Sequence, residues 1–176
     1  KKMKNLLLIL ALAASLIGCA TPPPAPPQHT TLFRPGEYGS KYYRIPALVT
    51  TTQGTLLAVA DRRIESQGDL PNAIDLVLRR STDNGATWSE PITIARHTEE
   101  TGYGDAAVVA DRTTGEVVCI FASGCGLWAS TAEQPLDIEV ARSSDDGLTW
   151  SAPTRITPQI YGPECPAPAV DSLSGL

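Results

Sequence analysis

Aromatic side chains are scarce in this chain, at 6% of 176 residues, and methionine occurs once. Histidine is limited to His29 and His97, and the four cysteines form no Cys-x-x-Cys pair. A zinc site draws on clustered Cys and His ligands, so none is expected. Excess positive charge is missing too. Fourteen Lys and Arg face 19 Asp and Glu, a net charge of −5, which argues against a nucleic-acid partner. No apolar run reaches the roughly 20 residues of a membrane-spanning helix. What is plentiful is punctuation, with 14 glycines and 15 prolines. That density suits many turns and excludes a coiled coil or a helical bundle. Apolar residues at 42% suffice for a packed core and exclude a wholly disordered chain. Length alone allows one domain or part of a larger one.

Lys1, Lys2 and Lys4 precede the apolar run 6–17, an arrangement that reads as a secretory signal. Leu16-Ile17-Gly18-Cys19 resembles a bacterial lipobox, in which the cysteine becomes the lipidated first residue of the mature chain. An ordinary signal peptide with a chance cysteine is the alternative. Residues 1–18 are expected to be a lipoprotein signal peptide. Residues 19–31 would then be the lipidated Cys19 and a tether, because Pro22-Pro23-Pro24-Ala25-Pro26-Pro27 favours a polyproline spacer. An SH3-type ligand is the other reading of that stretch. Ala20 is not Asp, so an inner-membrane retention signal is absent. An exported protein on the outer membrane is expected if the source is Gram-negative, with the membrane a partner through the lipid. Loss of residues 1–18 moves the formal charge to −8. Cys119, Cys125 and Cys165 then remain, allowing at most one disulfide and one spare thiol.

Two segments repeat each other. Ser81-Thr82-Asp83-Asn84-Gly85-Ala86-Thr87-Trp88 matches Ser143-Ser144-Asp145-Asp146-Gly147-Leu148-Thr149-Trp150, 62 residues on. The shared pattern is Ser-x-Asp-x-Gly-x-Thr-Trp. Each copy follows an apolar or alternating run, 74–80 and 138–142, and the first precedes another short run, 91–94. This predicts strand–turn–strand units. Asp83 and Asp145 can accept hydrogen bonds from turn N–H groups, and Gly85 and Gly147 can take a positive φ. Thr87 and Thr149 are expected to begin the return strand, with Trp88 and Trp150 buried beneath it. Turn chemistry explains every position, so a catalytic or calcium-binding reading of these acids is not needed. Further strands are predicted at 47–51, 55–60, 106–110 and 116–121, the last two joined by the turn 111–115.

The repeated pattern resembles the Asp-box of β-propellers, whose blades are four-stranded sheets of roughly 40–50 residues. A second set of residues narrows the resemblance. Tyr42-Tyr43-Arg44-Ile45-Pro46-Ala47-Leu48 looks like the Arg-Ile-Pro motif that opens the catalytic domain of sialidases. Leu56-Leu57-Ala58-Val59-Ala60-Asp61-Arg62-Arg63 resembles that family's second strand, and Gly102-Tyr103-Gly104-Asp105-Ala106-Ala107 a segment whose Asp lines the sugar pocket. The resemblance covers about 32–162 and implies an all-β, six-bladed propeller of sialidase type. It also implies a retaining exo-sialidase that releases terminal α-linked sialic acid from glycoconjugates, without a cofactor.

The resemblance carries roles onto four residues. Arg44 would bind the sugar carboxylate, since a planar guanidinium can grip it through two parallel hydrogen bonds. Asp69, in the loop 64–71, would be the catalytic acid/base, protonating the leaving oxygen and later activating water. Arg63 would border the carboxylate or C4 pocket, with Arg62 its rival and structural pairing to Asp61 or Glu65 the competing role. Asp105 is a pocket residue by resemblance and a plain turn residue by composition.

Sialidases use a Tyr nucleophile in place of a second carboxylate. In the family that Tyr, its Glu and two further Arg residues come from the second half of the propeller. Tyr103, Tyr161 and Glu164 do not match the nucleophile pair. A six-bladed ring needs roughly 300 residues, whereas 29–176 provides room for about three blades, so catalysis by this stretch alone is not expected. A trans-sialidase would use the same residues. A non-catalytic Asp-box propeller that binds surface glycans is the rival from another class.

Overall fold

The computed structural model describes residues 29–162. The signal, lipidation and most of the tether assigned from sequence, together with Glu164 and Cys165, lie outside them. Eight strands form two four-stranded antiparallel sheets, each a meander in chain order. The first sheet comprises β1 (Tyr42–Thr50), β2 (Leu56–Arg63), β3 (Ile74–Ser81) and β4 (Ile92–Ala95). The second comprises β5 (Tyr103–Ala110), β6 (Val117–Ser123), β7 (Asp137–Ser143) and β8 (Thr154–Arg155). A single-turn helix, α1, follows at Thr157–Ile160. The all-β reading holds, and the described residues contain two blade-like sheets.

Burial follows strand position. β2 and β3 are central and almost wholly buried, which explains their near-continuous apolar sequence. β1 alternates half-buried and exposed positions, as a strand covered on one face does. The sheets stack through one shared core. Leu57, Val59, Leu76 and Leu78 of the first meet Val117, Cys119, Phe121 and Ala141 of the second. Tyr103 meets Phe121 edge to face, ring centroids 5.7 Å apart. Burial pushes the Cys119 thiol up to about 12, so it behaves as a small hydrophobe. Cys119 and Cys125 are both free.

The two repeats fold alike. Asp83 accepts from Ser81 Oγ at 2.8 Å, Thr87 N at 2.8 Å and Thr87 Oγ1 at 2.6 Å. Asp145 does the same with Ser143 and Thr149, at 2.8, 2.8 and 2.5 Å. Those bonds hold both carboxyls down at about 2, below their ordinary 3.8. The left-handed residues are Asn84 and Gly85, then Asp146 and Gly147. Two expectations need correction. Thr87 and Thr149 lie in the turn, because the aspartate takes their N–H and O–H groups; the strands resume at Ile92 and Thr154. The indoles of Trp88 and Trp150 are only half-buried, each donating to a turn carbonyl, of Gly85 at 3.1 Å and Gly147 at 3.3 Å. The repeat also runs one residue further. Ser89 and Ser151 bond back to Arg80 and Arg142 through both N–H and Oγ.

The second repeat joins the sheets. Asp146 accepts from Thr55 Oγ1 at 2.5 Å and Arg80 Nη2 at 2.8 Å, while its carbonyl accepts from Arg80 Nε at 2.8 Å. Burial alone raises the Asp146 pKa, but bonds from Thr51, Thr55 and Arg80 outweigh it and lower it. Beside it a Cβ on Gly147 would stand 3.0 Å from both Leu57 methyls, so the turn rests directly on the core. Asp146→Ala would strand the Arg80 charge between the sheets and is expected to lower stability by about 3 kcal/mol in urea unfolding. The lowered Asp83 and Asp145 carboxyls stabilise the fold fully above about pH 4 and stop doing so as pH falls through about 2. In thermal melts, an Asp83→Asn, Asp145→Asn double variant should start below wild type at neutral pH and lose less over that acid interval.

Candidate active site

The residues of interest gather where the C-terminal end of β2 meets the start of β5. Asp61 and Arg63, two apart on one strand, face the same way by the pleat. Asp61 is completely buried and Arg63 is 1% exposed. Arg63 Nη2 donates to Asp61 Oδ2 at 2.8 Å. Arg63 Nη1 donates into the following loop, to Gln67 O at 2.7 Å, Gly68 O at 2.8 Å and Asp69 Oδ1 at 2.7 Å. Burial pushes the Asp61 carboxyl up to about 6 against the opposing pull of Arg63. Arg62 faces the other way. Its Nη2 donates to buried Asp75 at 2.5 Å, and Asp75 also accepts the backbone N–H of His97 at 2.7 Å. The pleat therefore brings Arg63 to Asp69 and turns Arg62 away. Of the competing partners weighed for Arg63, Asp61 is engaged, whereas Glu65 pairs with Lys41.

The loop that carries Asp69 is pinned at several points. Asn72 Nδ2 donates to Asp69 O at 2.6 Å, and Ser66 Oγ accepts from Gly68 N at 3.0 Å. Leu70 is buried with Ile74 and Ala122. The second sheet comes close enough that a Cβ on Gly126 would lie 2.3 Å from Leu70 O, and Gly126 has φ +75°. Only glycine fits that approach. The Asp69 side chain, at 49% exposure, nonetheless opens to solvent.

Arg44 lies on β1 opposite Asp61, beside a bulge at Ile45 with φ 51°. Its guanidinium is 45% exposed, and Nη1 donates to Gln67 O at 3.0 Å and Asp69 Oδ1 at 3.3 Å. β5 carries the matching bulge between Gly104 and Ala107, with Asp105 at φ 58°. Asp105 N donates to Asp61 Oδ1 at 3.2 Å. Asp69 and Asp105 border one recess of about 240 Å³, whose other walls include Leu70, Leu127, Trp128 and Leu136. All four residues singled out from sequence thus lie in one neighbourhood: Arg44, Asp69 and Asp105 are exposed, and Arg63 is beneath them. Sequence reasoning missed Trp128, which is 73% exposed. Its signal was a large aromatic in a glycine-bounded segment outside any strand pattern. It also treated Asp61 only as a partner of Arg63, although one acid inside an apolar strand is itself a signal.

Sequence similarity shows which known proteins the chain is related to. The chain is 37% identical over 145 residues to a sialidase of Bacteroides fragilis (strain YCH46), covering 73% of this chain and 27% of that one. It is 33% identical over 174 residues to a sialidase of Micromonospora viridifaciens, covering 86% of this chain and 27% of that one. The chain belongs to the sialidase family. A solved Hadza microbial sialidase, Hz136, superposes with TM-score 0.66 at 35% identity, over 74% of this chain and 29% of that one. The leech intramolecular trans-sialidase superposes with TM-score 0.70 at 14% identity, which shows the shared fold; the match covers 80% of this chain and 38% of that one. The two sheets therefore match sialidase propeller blades. No family model matches the chain. The chain spans about 27% of the length of the first two sialidases named here.

Arg63 makes the sharpest test of how this sialidase segment is built. Arg63→Ala would leave Asp61 buried without its cation and remove three bonds into the loop. A loss of about 3–5 kcal/mol is expected in denaturant unfolding. Arg63→Lys should recover little of it, because an ammonium cannot reproduce the guanidinium fork.

Proposed function

We propose that this chain forms part of an exo-acting, retaining sialidase that releases terminal α-linked sialic acid from glycoproteins, glycolipids and oligosaccharides. The observation that carries the reading is that Asp69 and Asp105 border one recess while Arg44 bonds to Asp69 beside it, in a chain of the sialidase family. Arg44 would take the substrate carboxylate through paired hydrogen bonds, its cation offsetting an anion that the acidic chain as a whole repels. Asp69, solvent-facing and fixed from below by Arg63, would protonate the leaving oxygen and then activate water. Asp105 would accept a hydrogen bond from the bound sugar, and Arg63 would border the pocket from beneath. The Tyr nucleophile, its Glu and the remaining carboxylate-binding arginines would come from outside residues 29–162, within a six-bladed ring. The protein would sit on the outer membrane, exported by residues 1–18 and anchored through lipidated Cys19 with 19–31 as tether.

The test is turnover of a fluorogenic sialoside by the protein expressed from its complete reading frame. Wild type should cleave it with retention. Asp69→Asn should lower kcat about 100-fold or more. Arg44→Ala should lower kcat/KM by a similar factor of about 100, the worth of a lost charge-assisted pair. Unchanged activity in both variants would refute the assignment. Binding of sialosides without turnover would favour a glycan-binding propeller, and an anhydro or transferred product would favour a trans-sialidase.

A further inference from the structure

The inward face of β2 changes character along its length. Leu57 and Val59 enter the shared apolar core, and Asp61 and Arg63 continue the same face as a buried ion pair. Such a pair is weak support for stability, since apolar residues of similar volume often do as well or better. Its geometry is more telling. Asp61 uses its two oxygens in two directions. Oδ2 accepts from Arg63 Nη2 at 2.8 Å, and Arg63 in turn holds Asp69 Oδ1 at 2.7 Å. Oδ1 accepts from Asp105 N at 3.2 Å, on the other sheet. The approach is direct: a Cβ on Gly104 would stand 3.3 Å from Asp61 Oδ2. Asp105 is a non-glycine residue at φ 58°, a sparsely populated conformation that persists where surrounding contacts impose it.

We infer that Asp61 is a positioning residue, which sets the spacing between Asp69 on the first sheet and Asp105 on the second. It touches neither substrate nor reacting atoms. One carboxylate, inaccessible to solvent, ties the loop that carries the proposed acid/base to the bulge that carries the proposed sugar contact. An apolar residue at 61 would fill the space and leave both unreferenced to each other. The inference rests on the sialidase reading for its kinetic consequence, but not for its geometric one.

Two substitutions separate the two oxygens. Asp61→Asn keeps an acceptor for the Asp105 amide and removes the charge opposite Arg63. In the protein from the complete reading frame, its kcat should fall about ten-fold or more with KM within about two-fold. Asp61→Ala removes both bonds, and KM should rise about five-fold or more in addition. Asp61→Asn is expected to melt below wild type, so its kcat is measured well under its own thermal midpoint, where a kcat loss is not unfolding. In 15N-labelled protein the Asp105 amide proton should move upfield in Asp61→Ala and little in Asp61→Asn, a readout that needs no turnover. An active wild type whose kcat and KM are unchanged by both substitutions overturns the inference. So does an Asp105 amide unmoved in Asp61→Ala. If Asp61→Ala does not fold, the kcat of Asp61→Asn decides alone. A wild type that cleaves no sialoside overturns the proposed function instead, and the amide shift then decides the positioning role.

Discussion

The contact on which everything else depends is the packing of β2 against the second sheet. At its middle, Leu57 and Val59 enter a core shared with Val117, Cys119 and Phe121, and this supplies the non-directional part of the association. Polar clasps stand at either end. Before the strand, Thr55 and Arg80 hold Asp146. At its far end, Asp61 holds Arg63 and the Asp105 amide. Apolar packing alone tolerates sliding. Directional bonds at both ends fix how one sheet sits on the next, and the recess lies at the second of them.

That arrangement divides labour among charged groups. Arg63 and Asp61 are buried and serve geometry, whereas Arg44 and Asp69 share a bond but remain half exposed, where a ligand can reach them. The loop between β2 and β3 is accordingly anchored from below by Arg63 and from the side by Leu70, with its Asp presented outward.

The repeated turns show how a local motif acquires a global role. In both copies the aspartate organises its own turn, which explains why sequence alone recognises it. The fourth position behaves differently in the two. Asn84 is exposed at the first turn, while Asp146 at the second is buried and pairs across the sheets. Nothing in the eight-residue pattern distinguishes them, because the difference arises from what each turn faces.

What the sequence determined by itself was everything local: the strands, since alternating and apolar runs need no distant partner to be recognised; the turns, since Asp and Gly satisfy them within a few residues; and the family, since its motifs are short and ordered. Arg44, Asp69 and Asp105 were singled out on that basis. Tertiary structure decided the rest. It brought Arg63 and not Arg62 to Asp69 across the pleat and set Trp128 at the recess. It also made Asp61 the link between sheets, through a bond spanning 44 residues. Each of these depends on which groups meet across the sheets or across the pleat. A linear pattern does not contain that information, because partners so far apart are chosen by packing.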